Sequence, residues 1–88
     1  MIEKNYTITS DEGLHARPAA KLVGSVSSFS SDIKLEFKDK QVNMKSIMGV
    51  MSLGISKGKE IKITADGVDE ERVMETVDEL IKSEGLGV

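Results

Sequence analysis

Cysteine is missing from this sequence of 88 residues, which excludes a disulfide framework, a thiolate nucleophile and any cysteine-held zinc or iron–sulfur site. That composition suits a reducing compartment, and a cytoplasmic location is expected. Tryptophan is also absent and aromatic residues make up only 3% of the chain, so platforms that stack single strands or flat cofactors cannot be built. No cofactor is expected. The single histidine falls short of the three or four ligands that zinc takes, so no metal is expected either. Nowhere do roughly 18 apolar residues run together, and no apolar stretch follows a basic one at Met1-Ile2-Glu3-Lys4-Asn5. Neither a membrane span nor a signal peptide is read. Positive charge is in deficit, with a formal net charge of -3, which argues against general affinity for nucleic acid or anionic membranes. Proteins or small molecules are the expected partners.

What is present fits one domain over residues 1–88. A chain this small buries somewhat over ~60% of the surface its unfolded form exposes, leaving little for a deep cavity, so its chemistry should lie on the surface. Ile2, Tyr6 and Ile8 share one parity, broken by Lys4, as in a half-buried strand. Ser10-Asp11-Glu12-Gly13 is turn chemistry. Pro18 then stands in the first turn of a helix whose apolar residues recur at Ala19, Leu22, Val23, Val26 and Phe29, starting within a residue or two of His15 or Ala16 and ended by the Ser27-Ser28-Phe29-Ser30-Ser31 run. Gly24 lies inside it, at a cost of ~1 kcal/mol relative to Ala. Ile33, Leu35 and Phe37 alternate with charged residues as a second strand, Lys38-Asp39-Lys40 turns the chain, and Gln41-Val42-Asn43 returns. Ser46 as N-cap and Gly54 as stop bracket a helix of about two turns. Ile61, Ile63 and Ala65 give the last strand. Asp69 caps a final helix with Val73, Val77, Leu80 and Ile81 on one face, ended by Gly85. The order β-α-β-β-α-β-α, with one apolar face per strand, implies an α+β open-faced sandwich. Its four-stranded, mainly antiparallel sheet is covered on one face by three helices.

His15 is placed for chemistry. It lies between a glycine turn and a proline-started helix, where unpaired amides and about half a positive charge stabilise an anion. Arg17 adds a charge-assisted bond to a phosphate oxygen, and Lys21, one turn on, extends a small basic face. The residues alone leave other readings open. A histidine at a helix start also serves as a plain N-cap substitute, an exposed lysine is ordinary on a helix face, and Ser46 and the nearby methionines also read as helix cap and core. Gly49-Val50-Met51-Ser52-Leu53-Gly54-Ile55-Ser56 has phosphate-loop spacing, but Ile55 occupies the lysine position and no nucleotide site is read.

Gly13-Leu14-His15-Ala16-Arg17-Pro18-Ala19 and Lys45-Ser46-Ile47-Met48-Gly49-Val50-Met51-Ser52-Leu53 resemble the HPr family of the bacterial sugar phosphotransferase system, with similarity running on to Leu86. The resemblance implies that His15 accepts a phosphoryl group on Nδ1 from enzyme I, itself charged by phosphoenolpyruvate, with Arg17 steadying it. The group then passes to enzyme IIA domains. The chain is thus a carrier, expected as a monomer, rather than a stand-alone enzyme. As in HPr proteins of low-GC Gram-positive bacteria, Ser46 is implied as a regulatory site modified by an HPr kinase/phosphorylase, the product binding a catabolite control repressor protein. Ala20, Lys21, Ile47, Met48 and Met51 are implied as the partner-binding surface. A purely regulatory module acting through Ser46 is the alternative. Three residues depart from the usual pattern, none expected to touch His15: Glu12, where Ser or Thr is commoner and whose charge is expected to slow transfer or to perturb the His15 imidazole; Ala20, where Thr is frequent; and Gly24.

Overall fold

The computed structural model describes residues 1–88, with elements in the order β1 (Ile2–Thr7), α1 (Ala16–Val26), β2 (Asp32–Phe37), β3 (Lys40–Asn43), α2 (Ile47–Met51), β4 (Glu60–Asp66) and α3 (Glu70–Ser83). Alternation decides which side of the sheet is buried. Ile33, Leu35 and Phe37 of β2 and Ile61, Ile63 and Ala65 of β4 all point into the core, while Lys34, Glu36, Lys62 and Thr64 stay on the open face. The sheet order is β1-β4-β2-β3 and every pairing is antiparallel. The helices supply the rest of one continuous core: Ala19, Leu22, Val23 and Val26 from α1, Val50 from α2, and Val73, Met74, Val77 and Ile81 from α3.

Lys4 breaks the parity of β1 for a structural reason. Its Nζ reaches the Asp78 carboxylate of α3 at 2.7 Å, so a position on the core-facing side of this edge strand carries a charge without burying it unpaired. The Tyr6 hydroxyl donates to the same carboxylate at 3.3 Å, and Lys82 approaches it at 3.0 Å. Burial, then the Asp78 charge, pushes the Tyr6 phenol above its ordinary value.

Local boundaries differ from the sequence expectation in four places. Helix α1 stops at Val26, just ahead of the serine run read as its end, but Phe29, counted on its apolar face, packs half-buried against the core from the following loop; the Ser27 hydroxyl donates back to the Gly24 carbonyl. The β2–β3 turn has only Lys38 and Asp39 between paired Phe37 and Lys40, so Lys40 belongs to the strand. Helix α2 has five residues, shorter than two turns, and Leu53 packs on the core from beyond its end. Asp69 occupies the N-cap position of α3, but its carboxylate does not cap. It accepts from the amides of Ser30 and Ser31 at 2.8 and 2.9 Å and from the Ser31 hydroxyl, clasping the α1–β2 loop. The Ser31 hydroxyl first, then the Ser30 amide, holds this carboxyl below the usual carboxylate range.

Candidate functional site

The loop that presents His15 is tied down on both sides. The Gly13 amide donates to the Ser10 carbonyl at 3.0 Å, and the Leu14 amide to the Ile55 carbonyl at 3.0 Å, with the Leu14 side chain buried. Gly13 has φ 68, and a Cβ there would run into the Ile55 carbonyl oxygen, so only glycine lets the chain pass. On the other side the amides of Thr9 and Ser10 donate to the Leu86 carbonyl at 2.8 and 3.2 Å, while Thr7 and Val88 exchange a pair of backbone bonds. The end of the chain thus braces the start of the loop. Sequence reasoning left this role of Leu86 unread, since no local pattern announces a contact nearly eighty residues away.

His15 occupies the N-cap position of α1 in extended conformation, its carbonyl accepting from the Ala19 amide at 3.0 Å. Its side chain makes no capping bond. The ring is therefore not engaged with the helix backbone, and the amides of Ala16 and Arg17 have no acceptor within the helix, while Pro18 has none to satisfy. The His15 side chain is 41% exposed, open enough to meet a partner. Ser10, Glu12, Arg17, Pro18, Glu84 and Leu86 surround it in a shallow, open depression, which suits a transient group held at the surface rather than an enclosed substrate. Arg17 is exposed and forms no ion pair, leaving its guanidinium available for an anion beside the ring.

Two expectations are corrected here. Lys21 does not extend a free basic face: its Nζ is paired with Glu84 at 2.8 Å, and that carboxylate lines the depression. Nor does Glu12 stand apart from His15, since its carboxylate lies 3.1 Å from Nε2. The turn at Ser10–Gly13 brings residue 12 back toward the helix start, a closeness that a spacing of three gives only when the intervening backbone turns. Ala20 is exposed on α1, and Gly24, also exposed, has open space around it.

Ser46 caps α2, its hydroxyl accepting from the Gly49 amide at 3.0 Å, and it is half-buried. Gly49 keeps room for it, because a Cβ there would lie 3.3 Å from the Ser46 hydroxyl oxygen. Beside it Ile47 is 46%, Met48 84% and Met51 38% exposed, an apolar cluster on an otherwise charged surface. Met44, the third of the clustered methionines, is instead a core residue. Helices α1 and α2 are in contact, and the segment after α2 carries the Ile55 carbonyl that holds Leu14. No group of acidic residues and histidine is arranged to hold a metal ion, and no helix is long and apolar enough to cross a membrane.

Residues 2–83 match the family model described as the PTS HPr component phosphorylation site. Among solved structures, the chain is similar to the histidine-containing phosphocarrier protein of a mycoplasma, with 40% identity, 98% of each chain covered and a TM-score of 0.95. It is similar to HPr of Thermoanaerobacter tengcongensis at 49% identity and TM-score 0.90, covering 96% of this chain and 94% of that one. It is also similar to Crh of Bacillus subtilis, a catabolite repression protein described as an intertwined, swapped dimer, at 40% identity and TM-score 0.73, covering 96% and 97%.

Proposed function

As this chain belongs to the HPr family of phosphotransferase-system phosphocarriers, we propose that His15 accepts a phosphoryl group from phospho-enzyme I and passes it to sugar-specific enzyme IIA domains. The observation that carries this reading is the uncapped helix start: a half-exposed imidazole beside two amides without helical acceptors and an unpaired Arg17. Those amides and the guanidinium offer donors to the oxygens of a phosphoryl group on the ring, and the helix dipole favours its negative charge. The depression is open on purpose. A carrier must surrender the group, so partner active sites supply most of the catalysis and the resting protein holds it loosely.

Ser46 is proposed as the regulatory site, modified by an HPr kinase/phosphorylase, with the product recognised by a catabolite control repressor protein. A phosphate there takes the place of the hydroxyl at the Gly49 amide, so α2 keeps its cap while nearly two negative charges appear beside Ile47, Met48 and Met51. These three side chains, with Ala20, form the proposed docking surface; Lys21 contributes less than its charge suggests because Glu84 neutralises it. Likeness to Crh favours a second reading, in which the chain acts only through Ser46. His15 with Arg17 and Pro18 in register favours the carrier.

The test is acid-labile phosphate formed on the purified protein from phosphoenolpyruvate and purified enzyme I. Wild type should label, and folded His15→Ala should not, while kinase-dependent labelling of Ser46 survives in that variant. If wild type takes no label from an enzyme I that charges a control carrier, the Ser46 module is the better reading.

A further inference from the structure

The Glu12 carboxylate, 3.1 Å from Nε2 of His15, has no role in the family resemblance, where Ser or Thr is usual. An ionised carboxylate carries no hydrogen, so the ring nitrogen facing it is the one favoured to bear the proton. That leaves the lone pair on Nδ1. We propose that Glu12 is a positioning residue for phosphoryl transfer: its charge keeps the His15 proton on Nε2 and offsets the positive charge that the ring acquires when Nδ1 is phosphorylated. This rests on the carrier reading.

The Nδ1 lone pair forms the new bond to phosphorus as the bond from phosphorus to the donor breaks, its electron pair staying with the donor atom. No proton leaves the ring, because Nε2 keeps its own. The product is an N-phosphoryl imidazolium, with one positive charge spread over a ring that was neutral. A carboxylate beside Nε2–H stabilises that product and the transition state leading to it more than the resting ring, and only such a difference accelerates the step. Glu12 lies on the Nε2 side of the ring, so its repulsion of the incoming phosphoryl group, on the Nδ1 side, is the weaker effect. The other charged groups lining the depression are Arg17, available to the phosphoryl oxygens, and Glu84, already paired with Lys21. Glu84 makes no ion pair with Nε2. On this proposal the Glu12 charge assists transfer through the imidazole instead of slowing it.

The side chain of Glu12 is 75% exposed, so its replacement leaves the fold intact. In water-like surroundings a unit charge at this distance is worth about a factor of ten in rate. Glu12→Gln and Glu12→Ala should therefore accept phosphoryl groups from phospho-enzyme I about tenfold more slowly than wild type, and Glu12→Asp should recover part of the loss. The readout that a merely structural role leaves unmoved is the ring-nitrogen chemical shift in 15N-histidine protein, recorded unphosphorylated and phosphorylated at one mildly alkaline pH. Nε2 should be more fully protonated in wild type than in Glu12→Ala in both states. Equal rates within twofold together with unchanged nitrogen shifts would overturn the proposal while leaving the carrier reading in place. If wild type itself takes no label, the carrier reading and this transfer role fall together, and unaltered spectra of the unphosphorylated ring then remove the tautomer claim as well.

Discussion

At position 13 a methyl group would enter space held by the Ile55 carbonyl oxygen, on a backbone at φ 68 that other residues adopt at a cost. Gly13→Ala should lower stability by about 2 kcal/mol or more, read from urea unfolding, because the clash is with backbone that cannot swing aside. It should also slow His15 labelling at temperatures where the variant is fully folded, since the displaced loop carries the ring. Ser46 separates charge from capping. Ser46→Asp should slow labelling of His15 by enzyme I, as negative charge beside Ile47 and Met48 weakens docking, whereas Ser46→Ala should leave that rate near wild type and cost about 1 kcal/mol of stability as the cap is lost. Equal slowing in both variants would point to the cap instead of the charge.

At the scale of elements, α3 is fastened to β1 by a carboxylate between two lysines. The Lys4 bond first, then that from Lys82, holds the Asp78 carboxyl down at about 2, from an ordinary value near 3.8. An acid depressed in the folded state stabilises the fold above its unfolded value, and the contribution fades as pH falls through its folded one. The whole shift corresponds to about 2 kcal/mol, but Lys4 is half exposed and the carboxylate is 24% exposed, so solvent screening reduces the expected net effect to about 1 kcal/mol. Asp78→Asn should therefore be less stable than wild type by that amount at neutral pH. Urea unfolding repeated between pH 4 and pH 2 should show the difference closing; a constant gap would place its origin elsewhere than in the charge.

For the whole molecule, exposed large apolar side chains are few. Ile47, Met48 and Met51 form the one cluster, while Met1, Val68 and Val88 stand apart at the turns and termini. The edge strands β1 and β3 carry Glu3, Lys4, Lys40 and Gln41, charged or polar residues that discourage pairing with a second sheet. A monomer is expected by sedimentation at tens of micromolar. A dimer at that concentration would instead align this chain with the swapped assembly described for Crh.

The sequence by itself determined the elements, their order and the two motifs, because burial on one face of a strand or helix writes a period of 2 or 3.6 into neighbouring residues. Ile33, Leu35 and Phe37, or Val73, Val77 and Ile81, declare their faces without knowledge of what covers them. The position of His15 and Arg17 at a helix start was legible for the same reason, since Pro18 and the glycine turn are local signals. Long polar side chains carry no such period. Lys4, Lys21, Asp69 and Glu12 each have several partners within reach along an unfolded chain, and only the packed arrangement of strands and helices selects Asp78, Glu84, the Ser30–Ser31 loop and His15 among them. The strand order, the bracing of the His15 loop by Leu86 and Ile55, and the carboxylate beside the His15 ring were therefore decided by tertiary structure, where the folded chain sets which groups meet.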